Sequence, residues 1–377
     1  MSGTKKIPFF GIDRQYANLR EELLEATDNV YKSGQVLDGP NTGLFEKTIA
    51  KMCERKYAVS VNSGTQGLIL SMRAISEVWA NTTNVLIPAQ SFVATLNSVL
   101  MSYHTPYMVD VDKRTGMMDI SKIPLPIEDI GILMYVNLFG DVMDQEKLIS
   151  YLGAWTDNKV PVIEDAAQSF GAYYEGVPSG KLGDISVLSF DPTKNLNNYG
   201  SGGMVLTDNP ILADILINLR DNGKHEDHGM EGTNSKMSEA DCAQMLVKLK
   251  YFNQWQERRT KIAEYYNERL EKYFDLIPKN PKVEHAWSKY VVHHPYRMLI
   301  SDALEAKGIE TKIHYARPLS WNIVYSDRYQ RNDEDLSNAE EFSKTCLSLP
   351  IYPELTDGEV EAIIETIVQY SELGNTR

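Results

Sequence analysis

Cysteine is scarce in this sequence: Cys53, Cys242 and Cys346 are the only three among 377 residues. They lie far apart and form no CxxC pair. Neither a disulfide framework nor a cysteine-based zinc site is expected, and a reducing, cytoplasmic setting is. Long apolar runs are missing too. No stretch approaches the roughly 18 residues that a membrane span needs. The N-terminal MSGTKKIPFFGIDRQ has only the short run Ile7–Phe10, which does not read as a secretory leader. Positive charge is in deficit, with 38 Lys and Arg against 52 Asp and Glu, giving a net charge of −14 and a pI near 5.1. Such a field repels nucleic-acid phosphates and anionic membranes, so neither is an expected partner. Internal repeats, low-complexity tracts and a GxGxxG after a strand are all absent, and the last removes the usual dinucleotide fingerprint.

What is present is ordinary globular composition, 42% hydrophobic, 24% charged and 10% aromatic, which excludes wholesale disorder. The length predicts two domains. Seven short apolar runs read as strands: Tyr57–Val61, Val85–Pro88, Tyr107–Val111, Ile132–Val136, Val160–Ile163, Ile185–Phe190 and Met204–Leu206. Helical patterns separate several of them, such as Leu68–Met72–Ile75–Trp79 and Phe92 to Met101. Apolar strands alternating with helices predict a mostly parallel seven-stranded sheet covered on both faces. Ahead of it, one helix ends near Gly34 and another carries Phe45, Ile49 and Met52. Composition shifts near residue 250. Residues 1–250 are expected to form a large α/β domain, and 251–377 a small α+β domain. The latter opens on a charged helix, Tyr251–Tyr273, with Trp255, Ile262, Tyr266 and Leu270 on one face. Short strands at Tyr290–His293 and Ile313–Tyr315 follow, then a last helix at Asp357–Tyr370, where Thr356 and Glu359 make a capping box.

Two segments imitate binding motifs and fail on inspection. Gly176 to Leu182 resembles a phosphate loop, but its glycines are one residue too close and Leu182 replaces the magnesium-holding Ser or Thr. It reads as a turn. His225–Glu226–Asp227–His228 has ligand-type residues without a third ligand nearby, so no metal site is expected.

Three other segments each close an apolar strand, where open α/β sheets bind ligands. Asn62–Ser63–Gly64–Thr65 opens a helix whose amides and hydroxyls suit a phosphate. Glu164–Asp165–Ala166–Ala167–Gln168 puts two carboxylates after a buried strand, and each needs a partner there. Leu188 to Asn195 ends a strand with Lys194 in a Pro- and Asn-marked turn. Together these supply what pyridoxal phosphate needs: an anion cradle, a carboxylate for the pyridine nitrogen and an amine for a Schiff base.

At these residues the sequence resembles the DegT/StrS family of pyridoxal-phosphate sugar aminotransferases. The likeness runs from Ile7–Pro8–Phe9 through Asn62–Ser63–Gly64–Thr65, Glu164 to Ala172, Ser189 to Leu196 and Gly232 to Met237. It ends at Ile313–His314–Tyr315 and Ser348 to Pro353. The resemblance implies the aspartate-aminotransferase fold, fold type I of these enzymes. It also implies a role for each matching residue. Lys194 would be the Schiff-base lysine and Asp165 the partner of the ring nitrogen. Phe92 would stack on the ring, with Gln168 on its other side, and Gly64, Thr65 and Ser189 would hold the phosphate. Asn234 would reach the phosphate of the neighbouring subunit's cofactor, which implies a homodimer with shared sites. His314 and Tyr315 would face the substrate, and their motif leans toward amination at position three of the ring.

Three departures from the family pattern stand out: Asn137–Leu138–Phe139–Gly140, the stretch Asn197 to Gly203, and a shortened pair around Trp287–Tyr290 and His293–Pro295. They are expected to bear on the sugar acceptor. The implied activity is a ping-pong transfer of an amino group from L-glutamate to a nucleotide-linked keto sugar. The alternatives are a sugar dehydratase, whose family members carry histidine in place of Lys194, and a non-catalytic regulator that binds the cofactor.

Overall fold

The computed structural model describes residues 6–80, 82–123, 130–153, 160–224, 229–328 and 335–374. The histidine pair His225 and His228 lies outside them. All seven apolar runs form strands of one sheet: β1 (Tyr57–Val61), β2 (Asn84–Pro88), β3 (Thr105–Val109), β4 (Ile132–Val136), β5 (Val162–Asp165), β6 (Ile185–Ser189) and β7 (Gly203–Thr207). Their spatial order is β1-β7-β6-β5-β4-β2-β3. Only β7 runs against its neighbours, and every other pairing is parallel. Parallel strands need crossover helices, which cover both faces and explain the unbroken apolar runs. Every residue of β4 is buried.

Helices Gly64–Val78, Val93–Met101 and Pro210–Arg220 lie on one face, where Leu70, Ile75, Val99 and Leu216 join Ile87, Met134 and Val187 in one core. Helices Pro40–Met52 and Glu239–Leu249 take the other, packing Phe45, Ile49 and Met245 on Leu188 and Leu206. A side chain of this size contributes about 1.5–3 kcal/mol when fully buried.

A second core forms beyond residue 251. There Ile262, Tyr266 and Leu270 of helix Phe252–Leu270 pack on the antiparallel strands Asp275–Leu276, Tyr290–His293 and Cys346–Leu349. Trp255, on the same helix, packs instead with Leu19 and Leu23 of the first helix, Ile12–Ser33. The last helix, Asp357–Gly374, closes this core with Ile363, Ile364 and Ile367. Its capping box is present: the Thr356 amide donates to Glu359 Oε2 at 3.1 Å, and the Glu359 amide to Thr356 Oγ1 at 3.3 Å. The two cores exchange segments. Ile7 bridges to Ile309 and joins the second core, while Leu319, Tyr325 and Ala339 return to the first.

One expected strand is absent. In Ile313–Tyr315 no residue belongs to a strand; only Lys312 bridges, to Ser348, before the chain leaves the sheet edge. The three cysteines are buried and free. Among the described residues no helix is long and apolar enough to cross a membrane.

Candidate active site

Six parallel strands aim their carboxyl ends at one edge of the sheet, and a cavity of about 360 Å³ opens there. The end of each strand decides which side chain reaches it. Asp165 is the last residue of β5 and Ser189 the last of β6. Gly64 and Thr65 begin the helix after β1, and Phe92 caps the helix after β2. Gln168 and Lys194 sit in the turns after β5 and β6, while His314 and Tyr315 enter from the second core's side. All of these residues line the cavity.

The helix start at Gly64 is built for close approach. Ser63 Oγ accepts from the Gln66 amide at 3.1 Å. That leaves the amides of Gly64 and Thr65 among those an α-helix cannot bond internally. A Cβ on Gly64 would lie 2.8 Å from Ser189 Cβ, and one on Gly203 would lie 2.7 Å from the Gly64 nitrogen. The glycines let β6, β7 and the helix start converge, so that Ser189 stands beside the helix amides. Aligned peptide dipoles favour an anion at this point.

Asp165 is buried at the cavity floor. Its carboxylate accepts from the Ala167 amide at 3.1 Å and from Thr95 Oγ1 at 3.3 Å. Burial raises its pKa; the Ala167 amide, the Lys194 charge and Thr95 pull it back. For Lys194 burial lowers the pKa, and Asp165 and Asp191 oppose that. Each group therefore supports the charge of the other. Phe92 keeps half of its surface exposed, 50%, and its ring centre lies 5.8 Å from that of Tyr315. Gln168 bridges the site, accepting from the Phe139 amide at 3.1 Å and donating to Tyr315 Oη at 3.1 Å.

Glu164, one residue before Asp165, points to the opposite side of the sheet, as strand alternation requires. Its carboxylate accepts from Asn137 Nδ2, Ser179 Oγ, Ser186 Oγ and the amides of Gly180 and Leu182, all at 2.6–3.1 Å. The phosphate-loop mimic thus wraps a carboxylate of its own chain. Asn137 also accepts from the Met143 amide at 2.9 Å and is fully buried. It is not among the residues lining the cavity, so its departure from the family pattern belongs to this interior network. The expectation that it bears on the sugar is corrected.

Asn234 is also away from this cavity. It is exposed, in a loop whose backbone bridges to Asp221. Among the described residues no group of three or more His, Cys, Asp or Glu side chains is placed to hold a metal ion.

An anion cradle, a buried carboxylate and a lysine amine on one cavity are matched by a family likeness over residues 17–368. The chain belongs to the DegT/DnrJ/EryC1/StrS aminotransferase family. It is similar to a Streptomyces venezuelae protein named dTDP-3-amino-3,4,6-trideoxy-alpha-D-glucose transaminase, at 30% identity over 98% of this chain and 97% of the relative. A Geobacillus stearothermophilus relative, 29% identical over 97% of this chain and 98% of its own length, is named a pleiotropic regulatory protein. The solved structure of Bacillus subtilis NtdA with bound cofactor PMP superposes with a TM-score of 0.86. It is 27% identical and covers 97% of this chain and 85% of that one.

In this aminotransferase the cavity holds residues that sequence reasoning missed. Lys289, Lys312 and Phe10 line it as well. Three lysines thus face Asp165 and Asp191 in a chain of net charge −14. Burial above all pushes the His314 imidazole down to about 3, so it is neutral at physiological pH. Its Nδ1 lies 2.8 Å from Ser348 Oγ. Lys289 sits immediately before an apolar strand, as Lys194 follows one, but in sequence only Lys194 belongs to a set with the helix start at Gly64 and with Asp165.

Proposed function

We propose that this aminotransferase moves an amino group from L-glutamate to the keto group of a nucleotide-linked sugar, with pyridoxal 5'-phosphate as its cofactor. The observation that carries the reading is the convergence of Lys194, Asp165 and the Gly64 helix start on one cavity. The residues fit the cofactor: Gly64, Thr65 and Ser189 form a cradle that a Cβ on Gly64 would fill, and a buried carboxylate and an amine line the same cavity. When bound, pyridoxal phosphate supplies an electron sink for the charge left as a C–H proton departs.

The chain's own groups do the rest. The Lys194 amine would take that proton and later give it back, as general base and then general acid. Asp165 would hold a proton at the ring nitrogen, with its carboxylate fixed by Thr95 and the Ala167 amide. Phe92 and Gln168 cover the two sides of the site, and His314 and Tyr315 meet the sugar. Position three of the ring is favoured by the Ile313–His314–Tyr315 motif and by the name of the Streptomyces relative. Residues 1–250 would act as the cofactor-holding domain and 251–377 as the smaller one. Two chains would form a dimer in which Asn234 serves the partner's site.

The name of the Geobacillus relative favours a second reading, a regulator that binds without turning over. Lys194 with Asp165 argues against it, and a lysine at this position argues against the dehydratase. Purified protein given L-glutamate and a panel of nucleotide keto sugars decides the matter. An amino sugar formed in step with 2-oxoglutarate is expected. A fully loaded protein that turns over none of the panel would favour the regulator.

A further inference from the structure

Lys289 is a buried lysine for which the proposed amino transfer has no task. It is 5% exposed, directly precedes the strand Tyr290–His293 and lines the same cavity as Lys194. Its Nζ donates to the carbonyl oxygens of Thr193 at 2.8 Å and Ser288 at 3.1 Å. An ammonium has three hydrogens to place; a neutral amine has two hydrogens and a lone pair. Two carbonyls therefore satisfy the neutral form and leave it one lone pair, on a side chain that borders the cavity.

The surroundings favour that form. Burial is the largest influence and pushes the pKa of Lys289 well down; the charges of Lys194 and Arg259 add to it, and Asp191 opposes. Lys194 and Asp191 face it from the turn after β6, and Arg259 from helix Phe252–Leu270. Lys312 and His314 belong to the segment after residue 309, and Asp165 to the end of β5. The Asp191 carboxylate is already engaged by the Thr193 amide and hydroxyl at 3.0 and 2.7 Å. Phe10, its ring centre 5.1 Å from Nζ, screens the nitrogen from water and weakly favours its charged form.

An amino donor reaches this site as an ammonium ion, which is not a nucleophile until it loses a proton. We propose that Lys289 accepts that proton, so that the cavity holds two working amines, Lys194 for the carbon-bound proton and Lys289 for the nitrogen-bound one. The step balances: the donor ammonium becomes a neutral amine, Lys289 becomes an ammonium, and nothing is oxidised. In the second half of the cycle Lys289 returns the proton to the newly formed sugar amine as it leaves.

The inference rests on the aminotransferase reading, and two measurements on the holoenzyme test it. The first is trace acetylation with limiting acetic anhydride over a range of pH, followed by peptide mapping. The labelling midpoint of Lys289 is expected well below the ~10.4 of an ordinary lysine. A midpoint near the ordinary value overturns the proposal. The second is kinetic. Lys289→Met and Lys289→Arg should each lower kcat/KM for L-glutamate by about 100-fold near pH 7. The Met variant should recover as pH rises toward the point where glutamate deprotonates on its own. The Arg variant should not be rescued by keeping its charge, because a guanidinium does not release its proton in proteins. Wild-type-like activity in Lys289→Arg, or a Met deficit that is flat with pH, would show that Lys289 acts by charge or by bracing the Thr193 turn. Variants that fail to fold leave the wild-type labelling result to decide. A wild-type protein that loads no cofactor or forms no amine defeats the aminotransferase reading itself, and this proposal with it.

Discussion

Glu164 and Asp165 are the same chemistry on consecutive residues, yet they answer to different needs. The Glu164 carboxylate gathers donors from Asn137, Ser179, Gly180, Leu182 and Ser186. It holds β4, β5, β6 and the 176–182 turn together. Glu164→Gln turns an amide toward those donors, and its urea midpoint should report a loss of about 2–4 kcal/mol. Asp165 has two bonds within the chain and faces the cavity. Asp165→Asn should keep the fold and the cofactor while lowering turnover by about two orders of magnitude or more, because an amide cannot hold a charged ring nitrogen. A near-normal rate in single-turnover kinetics would assign that proton to another group. Lys194→Ala should abolish turnover while the chain still folds, since little packing is removed.

The elements that read clearly from sequence are those whose pattern has one physical cause. The seven central strands show as apolar runs because both faces of each are covered by helices, and their ends agree with the structure to within about two residues, the usual uncertainty of such boundaries. The last helix announced itself through Thr356 and Glu359. Other features depend on partners distant in sequence. Ile313–Tyr315 has the composition of a strand, but the sheet edge offers it one bridge, at Lys312. Lys289 is an unremarked lysine until the turn at Thr193 meets it, 96 residues away in sequence. Asn137 stood out only as a departure from the family pattern, and its side chain serves the Glu164 network.

The same long-range logic ties the first helix to the last. Arg14 donates to both oxygens of Glu359, at 2.7 and 2.9 Å. Burial would raise the Glu359 pKa, but Arg14 and Thr356 outweigh it and hold the carboxyl at about 2. A depressed carboxylate stabilises the fold above its unfolded value, ~4.3, and that contribution fades as pH falls toward the folded value. Arg14→Met should therefore lose on the order of 2–3 kcal/mol at neutral pH. Urea titrations at decreasing pH should show the gap from wild type closing below about pH 4.

At the scale of the whole molecule, two cores meet at the cavity and neither completes it alone. The central sheet brings Asp165, Ser189 and Lys194, and the second core brings Lys289, His314 and Tyr315. Asn234 stands on the surface, outside its own chain's cavity. If it serves a partner, mixing inactive Lys194→Ala chains with inactive Asn234→Asp chains should restore activity as hybrid dimers form, with one good site in two. Verified subunit exchange without recovery would mean that each chain builds its site alone. All of this rests on Lys194 carrying the cofactor and handing it to the amino donor. The most direct measurement is borohydride reduction of the purified protein followed by peptide mapping, with and without prior exposure to L-glutamate. A pyridoxyl group on Lys194 that disappears after glutamate treatment is the predicted result. Label on Lys181, Lys289 or any other lysine, or label on Lys194 that glutamate leaves unchanged, would contradict it.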